Sequence, residues 1–144
     1  MDGLIQVIGA FFAILAFSVV IGAPRKYLVY CGLTGAIGWF VYLATLPGQG
    51  TVMANFWGAV VISLTAHIFA RIFKAPVTVF LIPGILILVP GSYLYRAVYN
   101  FIAGDQKLAG SNLTGTIQIA GMIALAVFIT DSLFSIYQKR RERL

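Results

Sequence analysis

No charged residue interrupts this chain between Asp2 and Arg25, and none falls between Tyr27 and Leu46. Each run is long enough to cross a bilayer as a helix, which takes about 20 apolar residues. Three further stretches meet the same test, at about 52–73, 76–103 and 112–137. Five spans use about 100 residues, most of the 144 present, which leaves no room for a second, soluble domain. Composition closes the soluble alternative. Charged residues make up 10% of the chain, against roughly 25% in an ordinary soluble domain, and mean hydropathy is +0.96. Too few charges remain to build a water-facing shell. The expectation is an all-α membrane protein, one integral domain over residues 1–144, of about five transmembrane helices.

The first span, about 3–22, is read as retained. Asp2 stands where a signal peptide carries Lys or Arg, and the basic residues follow the apolar run instead. Short punctuation separates the spans: Ala23-Pro24-Arg25-Lys26, the neutral turn Pro47-Gly48-Gln49-Gly50, Lys74-Ala75-Pro76, and a loop over 104–111. A basic tail, 138–144, ends the chain.

The few charges orient it. Arg25, Lys26, Arg71, Lys74, Lys139, Arg140, Arg141 and Arg143 are eight of the ten basic residues, and alternate span ends collect them on one face. The positive-inside rule puts that face in the cytoplasm, with the N-terminus outside and the C-terminus inside. Tyr27, Tyr30 and Tyr137 fall near the inner boundary, and Tyr42, Trp57 and Tyr99 near the outer, as interfacial aromatics do. The net charge of +6 therefore reads as membrane anchoring to anionic lipid, not as nucleic-acid binding.

The inventory of reactive groups is short: one His, one Cys and four acids. No internal disulfide, Cys-x-x-Cys pair or zinc set can be assembled. Neither a phosphate loop nor a dinucleotide fingerprint is present. Hence no cofactor and no metal are expected, ATP bound to this chain is not an energy source, and enzymatic activity is not expected. Cys31 reads as a small buried residue. Asn55 and Asn112 read as caps or loop residues. Small residues at i and i+4, such as Gly32/Ala36, Ala54/Gly58, Ala66/Ala70 and Ala120/Ala124, suit close helix packing.

Residues 76–103 stand apart. Prolines occupy 76, 83 and 90, and two Pro-Gly pairs lie seven residues apart. Each internal proline removes a backbone bond, and in lipid the freed groups must find partners. As one straight helix the segment would be about 42 Å long at ~1.5 Å per residue, more than the ~30 Å core requires. The fourth span is therefore expected to be broken at its Pro-Gly pairs. A new helix start at Ser92, a good N-cap, would present free N–H groups and partial positive charge, as discontinuous transporter helices do toward anionic substrates. Gly91 would admit a carboxylate; Ser92, Tyr95 and Arg96 would add hydrogen bonds and charge. The alternative is a simple kink, with Arg96 snorkelling to the interface.

Asp131 lies about two turns before the basic tail, and a carboxylate there needs a partner, water or a proton. His67 and Arg71, four residues apart, lie toward the same side. Together they suggest a proton-responsive gate, since an imidazole changes charge near pH ~6.5. A static inner ion pair is the alternative.

Over about Pro76 to Arg96 the pattern Ala75-Pro76, Ile82-Pro83-Gly84-Ile85, Leu88-Val89-Pro90-Gly91-Ser92 and Tyr95-Arg96 resembles the threonine/serine exporter family. In length and span count the chain resembles the C-terminal five-helix half of such exporters. The resemblance implies a multi-pass protein of the bacterial inner membrane. It implies proton-coupled export of threonine and serine, or of a dicarboxylate such as succinate. Pro83, Gly84, Pro90, Gly91, Ser92, Tyr95 and Arg96 match the motif and are the implied pathway. The implied partner is a larger subunit resembling the N-terminal half, with a homo-oligomer as the other arrangement. A non-transporting assembly or stability subunit is the competing functional reading.

Overall fold

The computed structural model describes residues 1–144, all helix and connection, with no strand. Helix α1 (Asp2–Val20) is followed by a 3-10 turn at Arg25–Tyr27 and then α2 (Leu28–Phe73). After α3 (Thr78–Ile85) a second 3-10 turn, Leu86–Leu88, leads to α4 (Gly91–Ile102) and α5 (Gln106–Glu142). α1, α2 and α5 are long and apolar enough to cross a membrane. The pair α3–α4, bent by 48°, is a fourth candidate if taken as one span. Phe12, Phe17, Phe40, Phe128 and Leu133 are exposed on the outer faces. Such an apolar surface suits lipid tails.

α2 holds 46 residues and would measure about 69 Å if straight, more than twice a hydrocarbon core. It folds back at Gly50, whose φ of 78° and ψ of 172° lie in a region open almost only to glycine. Pairs meeting across the fold show the reversal. Tyr30 meets Phe69 edge to face with ring centroids 5.5 Å apart, and Tyr27 meets Phe73 at 5.6 Å. Nearer the turn, Trp57 Nε1 donates to Gln49 Oε1 at 2.7 Å. Residues 28–49 and 51–73 are thus antiparallel arms, the second and third expected spans. The expected turn over 47–50 contracts to one residue. Pro47 and Gly48 stay helical, because a proline near a helix end forfeits only one bond.

This hairpin is the centre of the protein, packing against α1, α3 and α5, while α4 packs on α5. Small residues set its spacing. A Cβ added at Gly38 would lie 2.2 Å from Ile62 Cγ1, and one at Gly35 2.5 Å from Ile14 Cγ1 on α1. Ala54, Gly58, Ala66 and Ala70 are buried as helix contacts, whereas Ala120 and Ala124 face outward. Two clusters make the core. Ala59, Ile62, Leu88, Ile119, Ile123 and Ala126 join the hairpin to α5. Tyr27, Cys31, Ala66, Ala70 and Phe80 join it to α3.

Four expectations are corrected. α5 begins at Gln106, not 112, because Asp105 caps it by accepting from the Leu108 N–H at 3.0 Å; a short polar side chain there starts a helix. The basic segment 138–142 continues α5 instead of forming a tail. Asn55 and Asn112 lie within helices, their amides donating to the Thr51 and Leu108 carbonyls at 2.8 Å. In the fourth segment only the second Pro-Gly pair breaks the helix; Pro83 and Gly84 are buried inside α3. Pro83 cannot donate to the Val79 carbonyl one turn earlier. Instead the Cys31 thiol donates to that carbonyl at 3.2 Å, which lets α3 continue.

Candidate functional site

Two loci carry the polar chemistry. The first is the break at Val89–Pro90. Here the backbone leaves helical geometry, with Val89 at φ −58°, ψ 129° and Pro90 at φ −78°, ψ 53°. The Gly91 N–H turns back to the Val89 carbonyl at 2.8 Å, and Leu94 N–H closes the first turn on Pro90 at 3.1 Å. The amides of Ser92 and Tyr93 have no backbone acceptor. Free amides at a helix start are the groups that favour an anion.

The recognised motif divides across this break. Pro83 and Gly84 are packing residues: a Cβ at Gly84 would lie 2.8 Å from Thr34 Cγ2 and 3.0 Å from Ile62 Cγ2. Gly91, Ser92, Tyr95 and Arg96 are exposed, and nothing lies within 4 Å of a Cβ added at Gly91. Ser92 makes no side-chain capping bond; it is the second residue of α4, and Pro90 occupies the cap position. Ser92 and Arg96 share a face, as residues four apart do. Tyr95 stacks on Tyr99, centroids 6.2 Å apart. Tyr93 points the other way and packs against Gly115 of α5.

The second locus is at the basic end. His67 Nε2 and Asp131 Oδ1, 64 residues apart in sequence, lie 2.5 Å apart. The His67 side chain is 12% exposed and the Asp131 side chain 53%. His67 also stacks flat on Phe134, 4.3 Å between centroids and 5° between planes. Arg71 makes no ion pair with Asp131. Its guanidinium lies 4.7 Å from the Phe134 centroid and 5.6 Å from that of Tyr137, a cation–π arrangement. Of the three residues expected to cluster, two bond directly and the third joins through Phe134. Neither Arg96 nor any residue of α4 reaches this cluster.

Sequence reading missed two elements here. Phe134 was not separable from other packing aromatics. The spacing of Asp131, Ser135 and Lys139 was legible as i, i+4, i+8, which places all three on one helix face. It pointed to no site until α3 was known to stand opposite.

A hairpin-centred helical bundle with an apolar outer surface and a bent helix pair as a further candidate span defines a polytopic α-helical membrane protein. The chain belongs to the threonine/serine exporter family. The family model described as "Threonine/Serine exporter, ThrE" matches residues 6–133. Among curated proteins the chain is similar to a threonine/serine exporter of Corynebacterium glutamicum, 29% identical over 117 residues. That match covers 81% of this chain and 24% of the relative, so the chain spans about a quarter of the relative's length. No solved structure matches.

Proposed function

We propose that this chain is a subunit of a secondary-active exporter of small carboxylate-bearing metabolites. Threonine and serine are the first candidates and a dicarboxylate such as succinate the second. The observation that carries the reading is the helix break at Val89–Pro90 in a chain of this family. It leaves two amides unpaired and Arg96 one turn away, on the protein's surface. An anion pathway built there is completed by a second surface. The larger subunit of the same family is the proposed partner, and a second copy of this chain is the other arrangement. The proposed setting is the bacterial inner membrane, crossed five times, with the basic end in the cytoplasm. His67 and Asp131, with Arg71 beside them, are the proposed proton-responsive gate, because their contact joins the second arm of α2 to α5 at the basic end.

The test is export of labelled threonine, serine and succinate from cells carrying the chain with its larger homologue. Arg96→Ala and Gly91→Leu are expected to lower flux at least tenfold. Normal flux at normal protein level in both variants would reject the α4 start as the pathway. Loss of membrane insertion of the larger homologue, without any flux defect in these variants, would favour the assembly-subunit reading.

A further inference from the structure

At the basic end, the second arm of α2, the start of α3 and the last turns of α5 enclose an open cleft of about 740 Å³. That volume falls in the range of small-molecule sites, ~300–1,000 Å³. It is lined by His67, Thr78, Asp131, Ser132, Ser135 and Lys139 among others.

Three observations give the cleft a ligand chemistry. First, opposite charges stand on one face of α5 with a hydroxyl midway. Asp131, Ser135 and Lys139 follow at i, i+4 and i+8, spanning about 12 Å of helix axis at ~1.5 Å per residue. Both Ser135 and Lys139 line the cleft. Second, the charges are not spent on each other. Asp131 has His67 on one oxygen and is half exposed, and Lys139 has no carboxylate within 4.0 Å. Third, the hydroxyls are unused. In helices of this chain Ser18, Thr34, Thr45, Thr65, Thr114, Thr116 and Thr130 each donate to the carbonyl four residues earlier. Thr78, Ser132 and Ser135 make no such bond, as Ser63 and Ser111 elsewhere do not, and these three line the cleft.

From this geometry we infer that the cleft binds a small zwitterionic amino acid. The ligand ammonium sits on the free oxygen of Asp131, its carboxylate on Lys139 and Ser135, and a side-chain hydroxyl meets Ser132 or Thr78. The inference rests on the exporter reading and deepens it: the site is a loading position on the basic face, separate from the α4 start. The chemistry also selects among substrates. A fixed carboxylate in the cleft opposes the second charge of a dicarboxylate, so threonine and serine bind and succinate does not.

The experiment combines equilibrium binding of radiolabelled threonine and succinate to the full 144-residue chain, purified in detergent, with flux in cells. Wild-type chain is expected to retain threonine and not succinate. Lys139→Gln and Ser135→Ala lie on an exposed helix face and are expected to weaken threonine binding about tenfold and three- to fivefold, with helicity unchanged. Asp131→Asn is expected to abolish threonine binding and raise succinate binding at least tenfold relative to threonine. Threonine binding that is absent in wild type, or unchanged in all three variants, overturns the site. If cells show threonine flux that these variants leave intact, the exporter reading stands and the site falls. If no flux is seen while the purified chain binds threonine in an Asp131- and Lys139-dependent way, the site stands and the exporter reading falls.

Discussion

The Cys31 thiol donates to the Val79 carbonyl at 3.2 Å, across 48 residues of sequence. That carbonyl is the one Pro83 leaves without a helical donor. The contact explains why two similar Pro-Gly pairs behave differently. At Pro83 a side chain from the neighbouring hairpin arm takes up the freed oxygen, and Pro83 remains inside α3. At Pro90 the chain turns on itself, with Gly91 N–H bonding Val89, and the helix ends.

Removing that donor has a measurable cost. Cys31→Ala leaves the partly buried Val79 carbonyl without its thiol donor, at a cost of up to about 1 kcal/mol. Cys31→Ser keeps an O–H donor in nearly the same volume and is expected to lose less than half as much. Thermal unfolding in detergent, followed by helicity, gives the ranking. Equal loss in both variants would show that the sulfur acts by packing alone.

The two motif glycines separate folding from function. At Gly84 an added side chain meets Thr34 and Ile62 at 2.8 and 3.0 Å, and overpacking of this kind costs about 1–3 kcal/mol. Gly84→Leu is therefore expected to lower the amount of folded protein, and Thr34→Ala to restore part of it. Gly91 has open space around it, so Gly91→Leu is expected to leave stability within ~0.5 kcal/mol. Any flux defect in that variant then reports on the pathway. Quantifying protein in the membrane alongside flux distinguishes the cases.

The hairpin depends on Gly50. Its φ of 78° with ψ of 172° strains any other residue, at about 1–3 kcal/mol. Gly50→Ala is expected to destabilise by that amount, while Gly48→Ala, in helical geometry, gains helix propensity and is neutral or stabilising. Denaturation midpoints of the two variants are the check. Similar midpoints would mean the turn tolerates a second geometry.

The proposed gate rests on the His67–Asp131 contact, which ties the second arm of α2 to α5. The charged groups beside it are Lys139 on α5 and Arg71 on α2, the latter held over Phe134. His67→Leu and Asp131→Asn are each expected to lower flux severalfold at unchanged protein level, and the double variant to add little to either single one, as residues in direct contact behave. Additive effects of the two substitutions would show that the contact is not the gate.

Much of the fold was legible because membrane insertion is governed by local rules. Charge-free runs, Pro-Gly punctuation and basic residues at alternate span ends marked the helices and their pairing. The structure brings Tyr27, Phe73, Arg71 and Tyr137 to one end, as that charge pattern required. Span boundaries were less legible. Asp105 starts a helix six residues early because a cap overrides the polar composition of 106–111.

What the chain by itself determined is therefore its solvent, its helices and the residues with unusual chemistry: His67, Arg71, Asp131 and Arg96. Tertiary structure alone decided which of them meet. A proline always removes one bond, but whether its orphaned carbonyl ends the helix depends on a donor from another element, here Cys31. An Asp–Ser–Lys face is only a helix surface until α3 and His67 stand opposite it and make it a cleft. Spacing along a helix is set by its 3.6-residue period. Proximity between helices is set by side-chain packing, and that is not written in any one segment.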